Sequence, residues 1–181
     1  MPRNVEIKAK ARNFALQQQR ALERGAASAA CLTQEDVFFH TPRGRLKLRV
    51  FSEDRGELIY YERGDTLEPK VSDYLIAATP QPHALRAVLE AAWGVRGRVR
   101  KVRHVYLSGP VRIHFDEVEE LGEFLELEVV LQPGESLEAG YQTAAEWMRG
   151  LEIEEPDLVR GAYLDLLEAQ KSTKGGDNWE A

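Results

Sequence analysis

The stretch NVEIKAK, residues 4–10, sets Asn4, Glu6, Lys8 and Lys10 on one side of an extended chain and Val5, Ile7 and Ala9 on the other. The same alternation returns in RGRLKLRV (43–50), RIHFDE (112–117) and FLELEVVL (124–131). Each reads as a strand with one apolar face and one face that is almost wholly charged. Working outward, strand one spans 3–11 and Asn13 caps a helix running to Arg24, closed by Gly25. Residues 27–32 and 36–41 form one long strand or two short ones. Strands over 45–51, 57–63 and 70–79 follow, with turns at Thr41–Gly44 and Glu53–Gly56. Pro80 and Pro82 open a helix whose Leu85, Val88, Leu89 and Trp93 have helical spacing.

Three strands then come in quick succession, at 98–107, 111–118 and 123–131, with turns short enough for consecutive antiparallel pairing. The remainder is helical, with one stripe at Leu137, Tyr141, Ala145 and Met148 and another at Tyr163, Leu166 and Leu167. Residues 1–170 read as one domain and the polar segment 171–181 as a flexible C-terminal tail. Seven or eight antiparallel strands are too many for one flat open sheet, so the α+β, mainly antiparallel chain is expected to close into a barrel. Its apolar faces pack outward under the helices and its charged faces line the lumen. Charges cannot be buried unpaired, so such a lumen is wet, internally paired, or filled by a charged ligand.

Composition sets the outer limits. The chain has 181 residues, 43% hydrophobic and 30% charged, as in an ordinary soluble domain. No run is apolar enough for a membrane helix and no secretory leader is visible, so a cytoplasmic location without membrane attachment is expected. The net charge of −6 argues against general nucleic-acid binding but conceals segregation. Residues 96–103 hold five basic side chains and no acid, whereas 116–128 hold seven acids and no base. RGRVRKVRH lacks the interleaved aromatics of an RNA-binding surface. Cys31, the single cysteine, reads as ordinary packing between Ala30 and Leu32. Neither a G-x-x-x-x-G-K-[ST] nor a G-x-G-x-x-G loop occurs, and His40, His83, His104 and His114 lack metal-ligand spacing.

The chemistry lies in the strands. Glu126 and Glu128 project to one face with Cα atoms roughly 6.5–7 Å apart. Held so, two carboxylates suit a hard divalent cation such as Mg²⁺ or Mn²⁺. Asp116 on the preceding strand and Glu6 on strand one can join them. The cations come in same-parity sets: Lys8 and Lys10; Arg45, Lys47 and Arg49; Lys101 and Arg103; and Arg112. Arginine forks bind phosphate oxygens bidentately and lysines supply point charge, so this inventory suits a polyanion such as a triphosphate. Cross-strand surface salt bridges are the plain alternative.

The segments NVEIKAK, GRLKLR, YYERGD…PKVSDY, VRKVRHVYL and RIHFDEVEELGEFLELEVVL, in this order from about residue 3 to 168, resemble the CYTH superfamily of triphosphate tunnel metalloenzymes. Their order and spacing are most similar to its class IV adenylyl cyclase-like branch. The resemblance implies an eight-stranded closed tunnel and a Mg²⁺- or Mn²⁺-dependent enzyme acting on a small-molecule triphosphate. It implies Glu6, Glu126 and Glu128 as metal ligands with Asp116 nearby, and Glu6, Lys8 and Asp116 as catalytic. Lys8, Lys47, Arg49, Lys70, Lys101, Arg103 and Arg112 would grip phosphates, with Lys10 and Arg45 secondary. The first Glu of the family's E-x-E-x-K signature is replaced here by Asn4, which brings an oxygen but no charge. Conversion of ATP to cyclic AMP and pyrophosphate is the first expectation. Hydrolysis of tripolyphosphate, thiamine triphosphate or a nucleoside triphosphate is the alternative, and a binding module without turnover the third. A homodimer is an open expectation.

Overall fold

Alternating strands of this kind have two faces to satisfy, and the computed structural model, which describes residues 3–62 and 70–174, satisfies them on opposite sides of a barrel. The side chains of residues 3, 70–73 and 174 lie outside that description. Eight strands follow in the order β1 (Arg3–Lys10), β2 (Ala27–Phe39), β3 (Arg45–Ser52), β4 (Arg55–Glu62), β5 (Lys70–Thr79), β6 (Val95–Ser108), β7 (Val111–Val118) and β8 (Gly122–Leu131). They pair antiparallel around a closed ring, β1-β5-β4-β3-β2-β6-β7-β8, with β1 joining both β5 and β8. The β1–β5 seam is short, running from Arg3 opposite Asp73 to Glu6 opposite Lys70.

Four helices lie against this barrel: α1 (Phe14–Glu23), α2 (Pro82–Trp93), α3 (Leu137–Gly150) and α4 (Tyr163–Lys174). Asn13 caps α1 by accepting from the Leu16 N–H at 3.2 Å, and Gly25 ends it at φ +86°. The outward apolar faces of β1, β7 and β8 (Val5, Ile7, Ile113, Phe115, Leu125, Leu127) are sealed by Ala21 of α1 and Ala144 and Trp147 of α3. A second layer, Val37, Phe39, Leu46 and Leu48 of β2 and β3, packs under Leu85 and Leu89 of α2. Each such fully buried side chain stabilises the fold by about 1.5–3 kcal/mol. The inside-out barrel expected from the strand parity is therefore the observed one.

α4 does something different. Its Tyr163, Leu164 and Leu167 pack against Phe38, Val99 and Phe124, which share strand parity with the lumen charges, so this helix fills one end of the tunnel. Gly97 admits it: any side chain there would run into Leu164.

β2 is one continuous strand, the first of the two alternatives left open. Three details differ from the sequence reading. β6 begins at Val95, because it pairs with β2 along almost its whole length. Cys31 is exposed, since it lies on the outer face of β2 opposite His104. α4 continues to Lys174, four residues into the segment read as tail, and residues 175–181 lie outside the described residues.

Candidate active site in the tunnel

Register decides which charges meet. Across β7, β8 and β1 the pairing produces three rungs: Arg112–Glu128–Glu6, His114–Glu126–Lys8 and Asp116–Phe124–Lys10. The first two rungs line an internal cavity of about 350 Å³. Its opposite wall carries Asp36 of β2, Lys47 and Arg49 of β3, and Lys101 and Arg103 of β6.

Two equivalent units build most of the cationic surface. In one, Asp36 accepts from Arg49 Nε at 2.8 Å and a second guanidinium nitrogen at 2.9 Å, and from Lys47 Nζ at 2.8 Å. In the other, Asp116 accepts from Arg103 at 2.7 and 2.6 Å and from Lys101 Nζ at 3.0 Å, while the Tyr163 hydroxyl donates to it at 2.9 Å. Both aspartates are buried. Burial alone would raise their pKa values, but Arg49 and Lys47 hold Asp36 well below the usual carboxylate range, and Arg103 and Lys101 do the same for Asp116. The lysines show the converse. Burial and the neighbouring Arg49 bring Lys47 down to about 7, with Asp36 opposing, and burial with Arg103 lowers Lys101. The Asp36 unit thus holds two cations on one carboxylate, a local excess that a bound polyanion would relieve, whereas in the Asp116 unit Arg103 is shared with Glu126.

The carboxylate side is arranged around Glu126. Lys8 Nζ lies 3.0 Å from its Oε1, and Arg103 donates to its Oε2. Burial favours its neutral form, yet Lys8, then Arg103 and Lys101, hold it well below the usual range. Lys8 also sits 4.0 Å above the Tyr163 ring, so α4 fixes it from the closed end. Glu128 faces Arg112 at 3.6 Å and is nearer the open end, where Arg112 is exposed. Donor atoms of His114, Glu126 and Glu128 all lie within 4.8 Å of one another, a grouping able to hold a metal ion. The Asn4 side-chain oxygen is buried, borders the same cavity and has no hydrogen-bond partner among the described residues.

Most of the residues singled out from the sequence therefore meet: Glu6, Lys8, Lys47, Arg49, Lys101, Arg103, Arg112, Glu126 and Glu128 all border one cavity. Three do not line the cavity. Asp116, expected to be catalytic and near the metal, accepts from Arg103, Lys101 and Tyr163, which places it as an anchor of the cations. Arg45 shares a strand face with Lys47 and Arg49 but lies at the α4 end, where it donates to Asp165 at 2.6 Å. Lys10 is exposed at that same end and does not border the cavity. Lys70 begins β5 opposite Glu6, and its side chain lies outside the described residues. Two further residues border the cavity: Asp36, which sits in a segment that reads as ordinary strand, and His114, which shares parity with Arg112 and Asp116.

Comparisons with known proteins agree with this fold. Among solved structures, the PH1012 protein of Pyrococcus horikoshii OT3 matches over 90% of this chain and 98% of its own, at 25% identity and a TM-score of 0.81. HpAC1 of Hippeastrum matches over 84% and 89%, at 14% identity and a TM-score of 0.63, a likeness of fold. MJ0240 of Methanocaldococcus jannaschii, provisionally named an adenylate cyclase, is 31% identical over 68 residues, which span 38% of this chain and 39% of that protein. The CYTH domain model matches residues 2–163. With its closed antiparallel barrel and charged lumen, this chain belongs to the CYTH domain family.

Proposed function

We propose that this protein is a divalent-metal-dependent enzyme that acts on the triphosphate of a nucleotide such as ATP, bound within the tunnel. One observation carries the reading: the Asp36 and Asp116 units present four cations, Lys101 and Arg103 buried and Lys47 and Arg49 half-buried, across a single cavity from the His114–Glu126–Glu128 grouping. The donor set fits a small divalent ion. Two carboxylates and an imidazole converge, and the His114 Nδ1 and Asn4 Oδ1 atoms are buried without hydrogen-bond partners. Glu126, Glu128 and His114 would hold the ion, with Glu6 beside Glu128 on the neighbouring strand. Bound there, Mg²⁺ or Mn²⁺ supplies Lewis-acid polarisation of phosphoryl oxygens.

The chain's own residues do the rest. Arg49 and Arg103 each commit Nε and one terminal nitrogen to an aspartate, which fixes the plane of the guanidinium. Their remaining terminal nitrogens make no hydrogen bond among the described residues and can meet phosphate oxygens without reorganising. Lys47 and Lys101 add point charge. Phe51, Ile59 and Tyr61 give the same cavity an apolar flank that an inorganic polyphosphate would not use, which favours an organic triphosphate.

Cyclisation is the first reading. The ribose 3′ oxygen bonds to the α-phosphorus, its proton passes to a base, and the bond from that phosphorus to the departing pyrophosphate breaks. Hydrolysis is the second, because the same cations and carboxylates serve an attacking water without any group placing a ribose. HpAC1 is described by a dominant triphosphatase activity, but its likeness to this chain concerns the fold. Incubation of the protein with ATP, GTP, tripolyphosphate or thiamine triphosphate and Mn²⁺, followed by chromatography, tests the proposal. Cyclic AMP with pyrophosphate supports cyclisation, orthophosphate supports hydrolysis, and tight binding without products would leave only a binding module. Glu126→Gln and Glu128→Gln should each abolish the metal-dependent product while retaining the fold.

A further inference from the structure

We infer that His114 is an ion-selecting ligand, a neutral nitrogen donor that biases the tunnel toward Mn²⁺ over Mg²⁺. The inference rests on the metal-dependent reading above and adds to it the identity of the preferred ion. His114 is 6% exposed and stands on the central rung, opposite Glu126. Its Nδ1 lies 3.8 Å from Glu126 Oε2 and 3.6 Å from Glu128 Oε1, and it has no hydrogen-bond partner among the described residues.

Leaving a buried imidazole nitrogen without a partner is unfavourable. A charged imidazolium paired directly with a carboxylate closes to about 2.7–2.9 Å. The observed separations are too long for that contact. They are near the roughly 3–3.5 Å expected between donors that share one ion at bond lengths of about 2.1 Å. The ring therefore faces two carboxylates across a gap the size of a cation.

Charge explains why this donor matters. Lys8, Arg103 and Arg112 already stand within 4 Å of Glu126 or Glu128, so the carboxylates alone offer little net negative charge to an incoming ion. An imidazole contributes through its lone pair and adds no charge. Mg²⁺ prefers oxygen and holds its water tightly, so it gains little from nitrogen, whereas Mn²⁺, the weakest nitrogen binder of the first-row divalent series, still gains more from an imidazole than Mg²⁺ does. Selection follows from the donor atom.

The test uses full-length protein stripped of metal, with tripolyphosphate present and Mn²⁺ as the probe. Pulsed electron paramagnetic resonance of bound Mn²⁺ should show a directly coupled nitrogen in the wild type and none in His114→Gln. Competition titration should show the Mn²⁺-over-Mg²⁺ preference reduced by about tenfold in His114→Gln, with Mg²⁺ affinity nearly unchanged. Bound Mn²⁺ without nitrogen coupling, or an unchanged preference in the variant, overturns the ligand assignment while leaving the metal-dependent reading in place. Failure to bind Mn²⁺ at all defeats both. Should His114→Gln fail to fold by circular dichroism, the wild-type spectrum still decides.

Discussion

Binding of a polyphosphate should draw protons into the tunnel, and Lys47 sets the size of the effect. Its ammonium is enclosed by Asp36, Arg49, Phe38 and Tyr61, with Lys101 acting through space. Burial and Arg49 bring it to about 7, against an ordinary value of 10.5. The free tunnel therefore loses this proton as pH rises through 7, whereas a bound triphosphate restores the charged form. At pH 8 about one-tenth of free Lys47 is protonated, so binding takes up about 0.9 proton from this group if the complex returns it to its ordinary value. Lys101, lowered by burial and Arg103, adds to the total. Between pH 7 and 9 the linkage should weaken binding by about 50-fold, or about 2.3 kcal/mol. Calorimetric titration of metal-free protein with tripolyphosphate, in two buffers of different ionisation enthalpy at pH 8, measures the uptake. Lys47→Met should remove most of it. Zero uptake in the wild type at pH 8 would refute the claim that the lumen cations are held in electrostatic excess.

Asp116→Asn should cost about 3–5 kcal/mol of stability in denaturant unfolding, because Arg103 and Lys101 lose the carboxylate that neutralises them in a buried site; a loss below 1 kcal/mol would mean the pair is solvated. Asn4→Glu should tighten Mn²⁺ binding about tenfold or more, since a carboxylate at ~4 Å from a divalent ion gains several kcal/mol at an effective dielectric near 20, partly cancelled by desolvation. An unchanged metal midpoint would show that the unpartnered Asn4 oxygen does not face the ion. Gly97→Ala should destabilise the docking of α4 by about 1–3 kcal/mol, because the added methyl meets Leu164; hydrogen exchange confined to α4 reads this out, and unaltered protection there would contradict the packing.

Strand parity made most of this legible. An alternating strand has only two faces, so once the apolar one is buried under α1, α2 and α3 the charged one must point inward. Lys47, Arg49, Lys101, Arg103, Glu126 and Glu128 could be placed on that basis. Parity, however, says nothing about height along the barrel. Arg45 and Lys10 obey it and still fall at the end that α4 occupies, because a helix's own periodicity does not reveal where it docks. Asp36 lies in DVFFHT, a segment that reads as plain strand, and its partners are eleven and thirteen residues away across a register only folding supplies. His114 was readable, since it sits between Arg112 and Asp116 on the inward face, but spacing rules built for local metal motifs do not detect donors assembled across strands.

The central claim is that a triphosphate lies in the tunnel between the Asp36 and Asp116 units and an ion held by Glu126, Glu128 and His114. Diffraction from crystals soaked with tripolyphosphate and Mn²⁺, with data collected at the manganese edge, tests it most directly. The account predicts an anomalous peak among these three side chains and a phosphate chain touching Arg49 and Arg103. Manganese and phosphate found only on the outer surface of the barrel would contradict it.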